Sequence, residues 1–308
     1  MREAGFTEYA AYMRLDGDRW TDLKILQRSE LAFGIQSTGA LFGLNVTRTV
    51  RVSPDNSESA ALFCAKQAIT RLNIEAGERL IPMADEGMVL EALCRLVDNE
   101  RHLLYDGGSF FARIVLSCDD TALYPYPVKN AYLTIMLWYD PSEAAQADLR
   151  VRADDSRPCG AWLMRENARR DGFDNALLLD AVYKKYILGL TDANIFFRTD
   201  ELVMTPCGED VGNGIMRGCA IELMQDWGIE VIQRRISADE LCRLYSDGQL
   251  HEMFATSVYS IVSGIVLADL PGCKIELERG KLSKKLFDAV RNIERGTYPA
   301  PHEWIRRI

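Results

Sequence analysis

The chain has 308 residues, 48% of them hydrophobic and 26% charged, with a formal net charge of −9 at pH 7. That length suits two α/β lobes or one large sheet around a sizeable core. The acidic balance and the lack of a basic stripe argue against a nucleic-acid surface, and no run approaches the roughly 18 apolar residues of a membrane span.

In chain order, Met1 to Glu8 carries acidic residues where a secretory segment would be apolar, so a cytoplasmic protein is expected. Asp85 to Val97 sets Val89, Leu93 and Leu96 at helical spacing behind an aspartate that can cap the first turn. Ser109–Cys118 and Ala131–Tyr139 are aromatic and β-branched over strand-like lengths and read as buried strands. The polar stretch Asp140 to Asp148 then breaks the apolar pattern. It is expected to fall in an interdomain linker, 140–149, between a smaller lobe at 1–139 and a larger one at 150–308. Helices over about 160–171, 215–227 and 282–295 run into Gly172, Gly228 and Gly296, which suit left-handed caps. Ser237-Ala-Asp-Glu240 spells a capping box, with the serine accepting from the Glu240 amide and the glutamate reaching back. The pattern is that of a mixed α/β protein with a pocket at the lobe junction.

Cysteines at 64, 94, 118, 159, 207, 219, 242 and 273 never form a C-x-x-C pair and sit mostly in apolar runs. They read as free thiols. With only His102, His251 and His302, a histidine-rich metal cluster is excluded by count and no metal is expected.

The second lobe strings together Gly172 to Asp180, Asn194-Ile-Phe-Phe197, Met204-Thr-Pro206, Gly214-Ile-Met-Arg217, Trp227 to Val231, His251-Glu-Met-Phe254 and Ala300-Pro-His-Glu-Trp304. The first lobe adds Arg19-Trp20, Gly39 to Gly43, Thr70-Arg-Leu72 and Phe111 to Ile114. In this order they resemble the class IV, fold-type IV aminotransferases, with the branched-chain amino-acid aminotransferases as the nearest subgroup. The resemblance implies a two-lobed α/β (α+β) fold shared with D-amino-acid aminotransferases, and a homodimer.

It also implies a lysine that binds pyridoxal phosphate through a Schiff base and then shuttles the α-proton. Between Arg150 and Met164 there is no lysine; ungapped counting puts Ala153 in its place. The family's tyrosine falls at about Pro158, its pyridinium carboxylate at about Gly189, and its phosphate threonine at about Val258. Lys184 and Lys185 are the nearest alternative amines. The anion-holding part is kept: Arg71 matches the phosphate arginine, the Ile215 and Met216 amides stand at a helix N-terminus, and Ser257 or Ser260 can supply a hydroxyl. Arg113 matches a substrate-side arginine. Phe42, Phe111, Val258 and Ala193 are expected in the pocket wall, and Arg217 as a brace.

From these departures the expected function is an enzyme needing no pyridoxal phosphate or other cofactor, acting on a small anionic intermediate by cyclisation, condensation, isomerisation or proton transfer. Asp192 and Arg113 are its expected catalytic pair, with Asp154, Asp155 and Cys159 as further titratable groups. Two alternatives stand beside it: a non-catalytic ligand- or partner-binding protein, and an atypical pyridoxal-phosphate-dependent branched-chain aminotransferase.

Overall fold

A computed structural model describes residues 3–55, 59–106, 108–121, 126, 128–142, 144–154, 160–301 and 303–308. Asp155, Pro158, Cys159 and His302 lie outside the described residues. The first elements are β1 (Gly5–Asp16), β2 (Arg19–Trp20), β3 (Lys24–Gln27), α1 (Thr38–Phe42), β4 (Asn45–Pro54), β5 (Ala60–Phe63), α2 (Ala65–Glu78), α3 (Glu86–Glu100), β6 (Ser109–Cys118) and β7 (Ala131–Asp140). There follow β8 (Asp148–Asp154), α4 (Ala161–Arg170), β9 (Asn175–Leu179), β10 (Ile187–Leu190), β11 (Asn194–Thr199), β12 (Val203–Thr205), α5 (Ile215–Asp226), β13 (Val231–Gln233) and α6 (Ala238–Ser246). The chain ends with β14 (Leu250–Ser257), β15 (Ile261–Leu270), β16 (Cys273–Glu276), α7 (Lys281–Glu294) and β17 (Ile305–Arg307).

Two compact units result, Met1–Glu143 with Asn292–Ile308, and Ala144–Arg291. The chain first passes from one unit to the other at Glu143–Ala144. Residues 292–308, assigned from sequence to the second lobe, group with the first because β17 pairs with β5.

The first unit holds a sheet of order β17-β5-β4-β6-β7-β1-β2, with β3 also on β1. Alternation along β6 buries Phe110, Ala112, Ile114 and Leu116 completely, while Arg113 stays exposed. One face of the sheet is covered by α2 and α3 through Ile69, Leu72, Leu93 and Leu96. As expected, Asp85 caps α3 by accepting from the Met88 amide at 2.9 Å. A buried ion pair, Arg51 Nε to Glu294 Oε1 at 2.8 Å, ties β4 to the end of α7 within this unit.

The second unit holds the order β10-β9-β8-β15-β14-β11-β12-β13, with β16 also on β15. One face carries a core that includes Val151, Leu177, Ile195, Phe197, Met253, Ala255, Ile265 and, from α6, Leu241. On the other face Met164 and Ala168 of α4 pack on Ala176, and Phe196 stacks on Phe254, with ring centroids 4.9 Å apart. Positive φ at Gly172, Gly228 and Gly296 closes α4, α5 and α7 as the sequence suggested. The capping box forms only halfway. Ser237 accepts from the Glu240 amide at 3.1 Å, but the Glu240 carboxylate turns to Arg234 instead, a charged donor of greater pull.

The expectation of free thiols is also corrected. Cys242 and Cys273 form a disulfide with Cα atoms 5.9 Å apart, because α6 lies against β16. Cys64, Cys94, Cys118, Cys207 and Cys219 take part in no disulfide. Burial and the nearby Asp120 push the Cys118 thiol up to about 11, consistent with an inert core residue. Among the described residues no group of His, Cys, Asp and Glu is placed to hold a metal ion, and no helix is long and apolar enough to cross a membrane.

Candidate active site

The second unit contains a concentrated set of unspent donors at the start of α5. Gly214 occupies the cap position and offers no side chain to the first turn. The leading amides of a helix have no intrahelical acceptor, so those of Ile215 and Met216 remain available to an anion at the positive end of the helix. Gly214 is required there: a Cβ would collide with Asn194 Oδ1. Asn194, on β11, holds the approach to the helix by donating from Nδ2 to the Gly212 carbonyl at 2.5 Å.

Arg217 faces inward and braces this turn, as the sequence suggested. Its Nη2 donates to the Pro206 carbonyl at 2.9 Å and its Nε to Thr205 Oγ1 at 3.3 Å, while Thr205 donates to the Ile195 carbonyl at 2.8 Å. Burial lowers its pKa, with Cys207 opposing the shift.

The hydroxyl near this helix is not the one expected. Thr256 lies directly across from Asn194 in the β11–β14 pairing, so the two side chains share the face that meets α5. Thr256 is 2% exposed, and its Oγ1 has no hydrogen-bond partner among the described residues. Ser257, one residue on, belongs to the opposite face. It is consumed by the following turn, 3.0 Å from Ser260 Oγ and accepting from the Ser260 amide at 3.1 Å. Val258 sits half-buried in that turn.

Gly189 has a backbone reason for its identity. A bulge in the β9–β10 pairing gives it φ +154°, and a Cβ would stand 2.9 Å from the Ala193 carbonyl. No side chain, a carboxylate included, is accommodated without strain. Ala153 lies on β8 opposite Leu177 and packs, like Ala193, against the apolar core with Val151. Lys184 and Lys185 are exposed on the turn after β9, and Lys184 has φ +52°.

Asp192 is ion-paired at the surface. Arg165 of α4 reaches its Oδ2 at 2.7 Å, and Asn175 of β9 donates to its Oδ1 at 2.8 Å. Thr191 Oγ1 donates to Asn175 Oδ1 at 2.6 Å. This arrangement occupies the carboxylate in pinning the Thr191–Ala193 turn, which leaves it poorly placed for the acid–base work proposed from sequence.

In the first unit, Phe111 and Arg113 project from β6 on the face away from α2 and α3. Phe111 pairs across the sheet with Trp138, Arg113 with Met136. Phe111 is 7% exposed and lies under the Arg51 guanidinium, 5.4 Å from its ring centroid. Phe6 and Trp138 meet edge to face at 5.0 Å on the same open face. Phe42 ends α1 and is half-exposed, and Arg71 lies half-buried on α2. Sequence reading missed Thr256, Asn194, Asn175 and Arg165. Only the strand pairing reveals which of them share a face.

Comparison with known proteins gives this geometry its context. Residues 49–266 match the family model described as amino-transferase class IV. A probable branched-chain-amino-acid aminotransferase of Staphylococcus aureus (strain N315) is 30% identical, covering 97% of this chain and 90% of that protein. Branched-chain-amino-acid transaminase 1 of Bacillus subtilis (strain 168) is 28% identical over 97% and 91%. The fold matches the branched-chain aminotransferase of Thermoproteus uzoniensis with norvaline at TM-score 0.80 and 17% identity, covering 97% and 99% of the two chains. It also matches a second solved branched-chain amino acid aminotransferase, complexed with N-(5'-phosphopyridoxyl)-L-glutamate, at TM-score 0.78 and 20% identity, covering 99% of each chain.

These relatives correct the functional expectation. Kinship of about 30% identity along nearly the whole chain, to proteins named as branched-chain aminotransferases, overturns a cofactor-free enzyme and points to pyridoxal phosphate. The mixed α/β fold, the collinear motifs and the relatives agree: the chain belongs to the class IV aminotransferase family, in its branched-chain aminotransferase group.

Proposed function

We propose that this protein is a pyridoxal-phosphate-dependent aminotransferase that moves an amino group between a branched-chain amino acid and a 2-oxo acid. The carrying observation is near-full-length kinship to branched-chain aminotransferases, supported by a helix start at α5 whose first turn has no side-chain cap. When bound, the cofactor supplies a carbonyl that takes up the amino group and a ring that accepts electrons.

The fit of the residues to that group is uneven. In the second unit the Ile215 and Met216 amides and the buried, unpartnered Thr256 hydroxyl are proposed to hold the phosphate end. The ring end has no carboxylate at Gly189, and no lysine lies between Lys129 and Lys184. We therefore propose that the phosphate contributes a large share of the cofactor's binding. The exposed apolar run of Phe33, Ile35, Leu41 and Phe42 supports a homodimer.

The test mixes purified protein with pyridoxal phosphate, L-leucine and 2-oxoglutarate, follows glutamate by mass spectrometry, and follows cofactor binding by absorbance. Glutamate formation with cofactor bound supports the proposal; neither turnover nor binding at millimolar pyridoxal phosphate rejects it. Borohydride trapping followed by peptide mapping identifies the lysine that carries the cofactor.

A further inference from the structure

A groove of about 480 Å3 in the second unit is walled by Lys185, Asp239, Cys242, Arg243, Pro271 and Gly272. It lies on the α6 side of the sheet, away from the start of α5. One wall is the Cys242–Cys273 disulfide, whose two cysteines are each partly exposed. Lys185 and Arg243 stand on the rim, and neither forms an ion pair among the described residues. Lys185 is firmly held: Asp180 accepts from its amide at 2.8 Å and from those of Tyr183 and Tyr186 at 2.6 Å, and the Lys185 carbonyl accepts from the Ala238 amide at 2.9 Å.

We propose that this groove is a thiol-exchange site for a small thiol bearing carboxylates, and that Cys242 is the sulfur attacked. The groove is large enough for a peptide-sized ligand. Its two cations outnumber the single Asp239 carboxylate in the wall, so the rim attracts carboxylates and concentrates an anionic thiolate beside the bond. Cys242 lines the groove, so the incoming thiolate bonds to Cys242 Sγ while the bond to Cys273 Sγ breaks. Cys273 leaves as thiolate and takes a proton from solvent, and no oxidant is consumed. The fold tolerates opening, because Leu241 keeps α6 in the core and the Tyr245 hydroxyl donates to the Glu276 carbonyl at 3.3 Å.

The probe is glutathione, compared with neutral 2-mercaptoethanol at equal thiolate concentration, on the full-length oxidised protein. Intact mass and peptide mapping after acid quench should find one adduct, on Cys242. Glutathione should react roughly three- to tenfold faster, an advantage expected of two partly screened surface cations. The Lys185→Gln, Arg243→Gln double variant should keep its circular dichroism spectrum and lose that advantage, as should the wild type in molar salt. Adduct on Cys273, no exchange at all, or an undiminished preference in the double variant would each overturn the proposal.

Discussion

Replacing Thr256 with valine should change two properties in opposite directions. The side chain keeps its shape and loses only a hydroxyl that is 2% exposed and has no partner among the described residues. Burying an unsatisfied polar group costs about 1–3 kcal/mol. Without ligand the variant should therefore be about 1 kcal/mol more stable, raising its melting temperature by roughly 2 °C. With a phosphate seated at the Ile215 and Met216 amides, the same hydroxyl becomes a donor to a charged acceptor, worth about 1.5–3 kcal/mol. Affinity for pyridoxamine phosphate should then fall roughly 10- to 150-fold. Titration calorimetry with pyridoxamine phosphate and with pyridoxamine separates the phosphate from the ring, and Thr256→Ser should retain most of the affinity. A destabilised ligand-free variant, or equal losses for both ligands, would refute the placement of this hydroxyl at an anion site.

Gly189→Glu, which restores the family's carboxylate, should cost about 1–3 kcal/mol in urea unfolding, because φ +154° and the 2.9 Å approach of the Ala193 carbonyl leave no room for a Cβ. Asp180→Asn should cost about 1–3 kcal/mol at pH 7 by weakening three charged amide contacts. Desolvation alone would raise the Asp180 pKa, but the amides of Tyr186, Tyr183, Lys185 and Val182 together hold it below the usual range. A depressed folded-state pKa stabilises above the unfolded value near 3.9 and loses that contribution as pH falls through the folded value. The gap between wild type and Asp180→Asn should accordingly narrow below about pH 4. Glu294→Ala should cost about 3–5 kcal/mol, because it strands the 2%-exposed Arg51 guanidinium, and a double change to Arg51→Met with Glu294→Leu should recover part of that loss.

Both ends of β6, the start of β7 and the start of α3 were legible because a single local signal fixed each of them: an apolar strand-length run or a capping aspartate. Features that depend on a distant partner were not. Glu240 has the spacing of a capping box, yet Arg234 outcompetes the backbone amide for it once the chain turns into α6. Cys242 and Cys273 are 31 residues apart and meet only because a helix packs on a strand. Thr256 and Ser257 are adjacent hydroxyls on opposite faces, and only the pairing of β14 with β11 says which one faces α5.

Gly189 shows that a residue expected from sequence to mark a change in the site can have a backbone reason of its own. From sequence it marks a missing carboxylate. In the structure it is the residue that lets β10 bulge and bring the Leu190 amide to the Ala193 carbonyl at 2.8 Å. The turn thus tightened is the one that Arg165 and Asn175 secure through Asp192, and it leads directly into Asn194, whose amide sets the approach to α5. Gly189 and Asp192 therefore belong to a single strand-turn-strand, and the glycine is as necessary to it as the ion pair, because the bulge and the pinned turn together fix where Asn194 enters β11 and how the chain approaches α5.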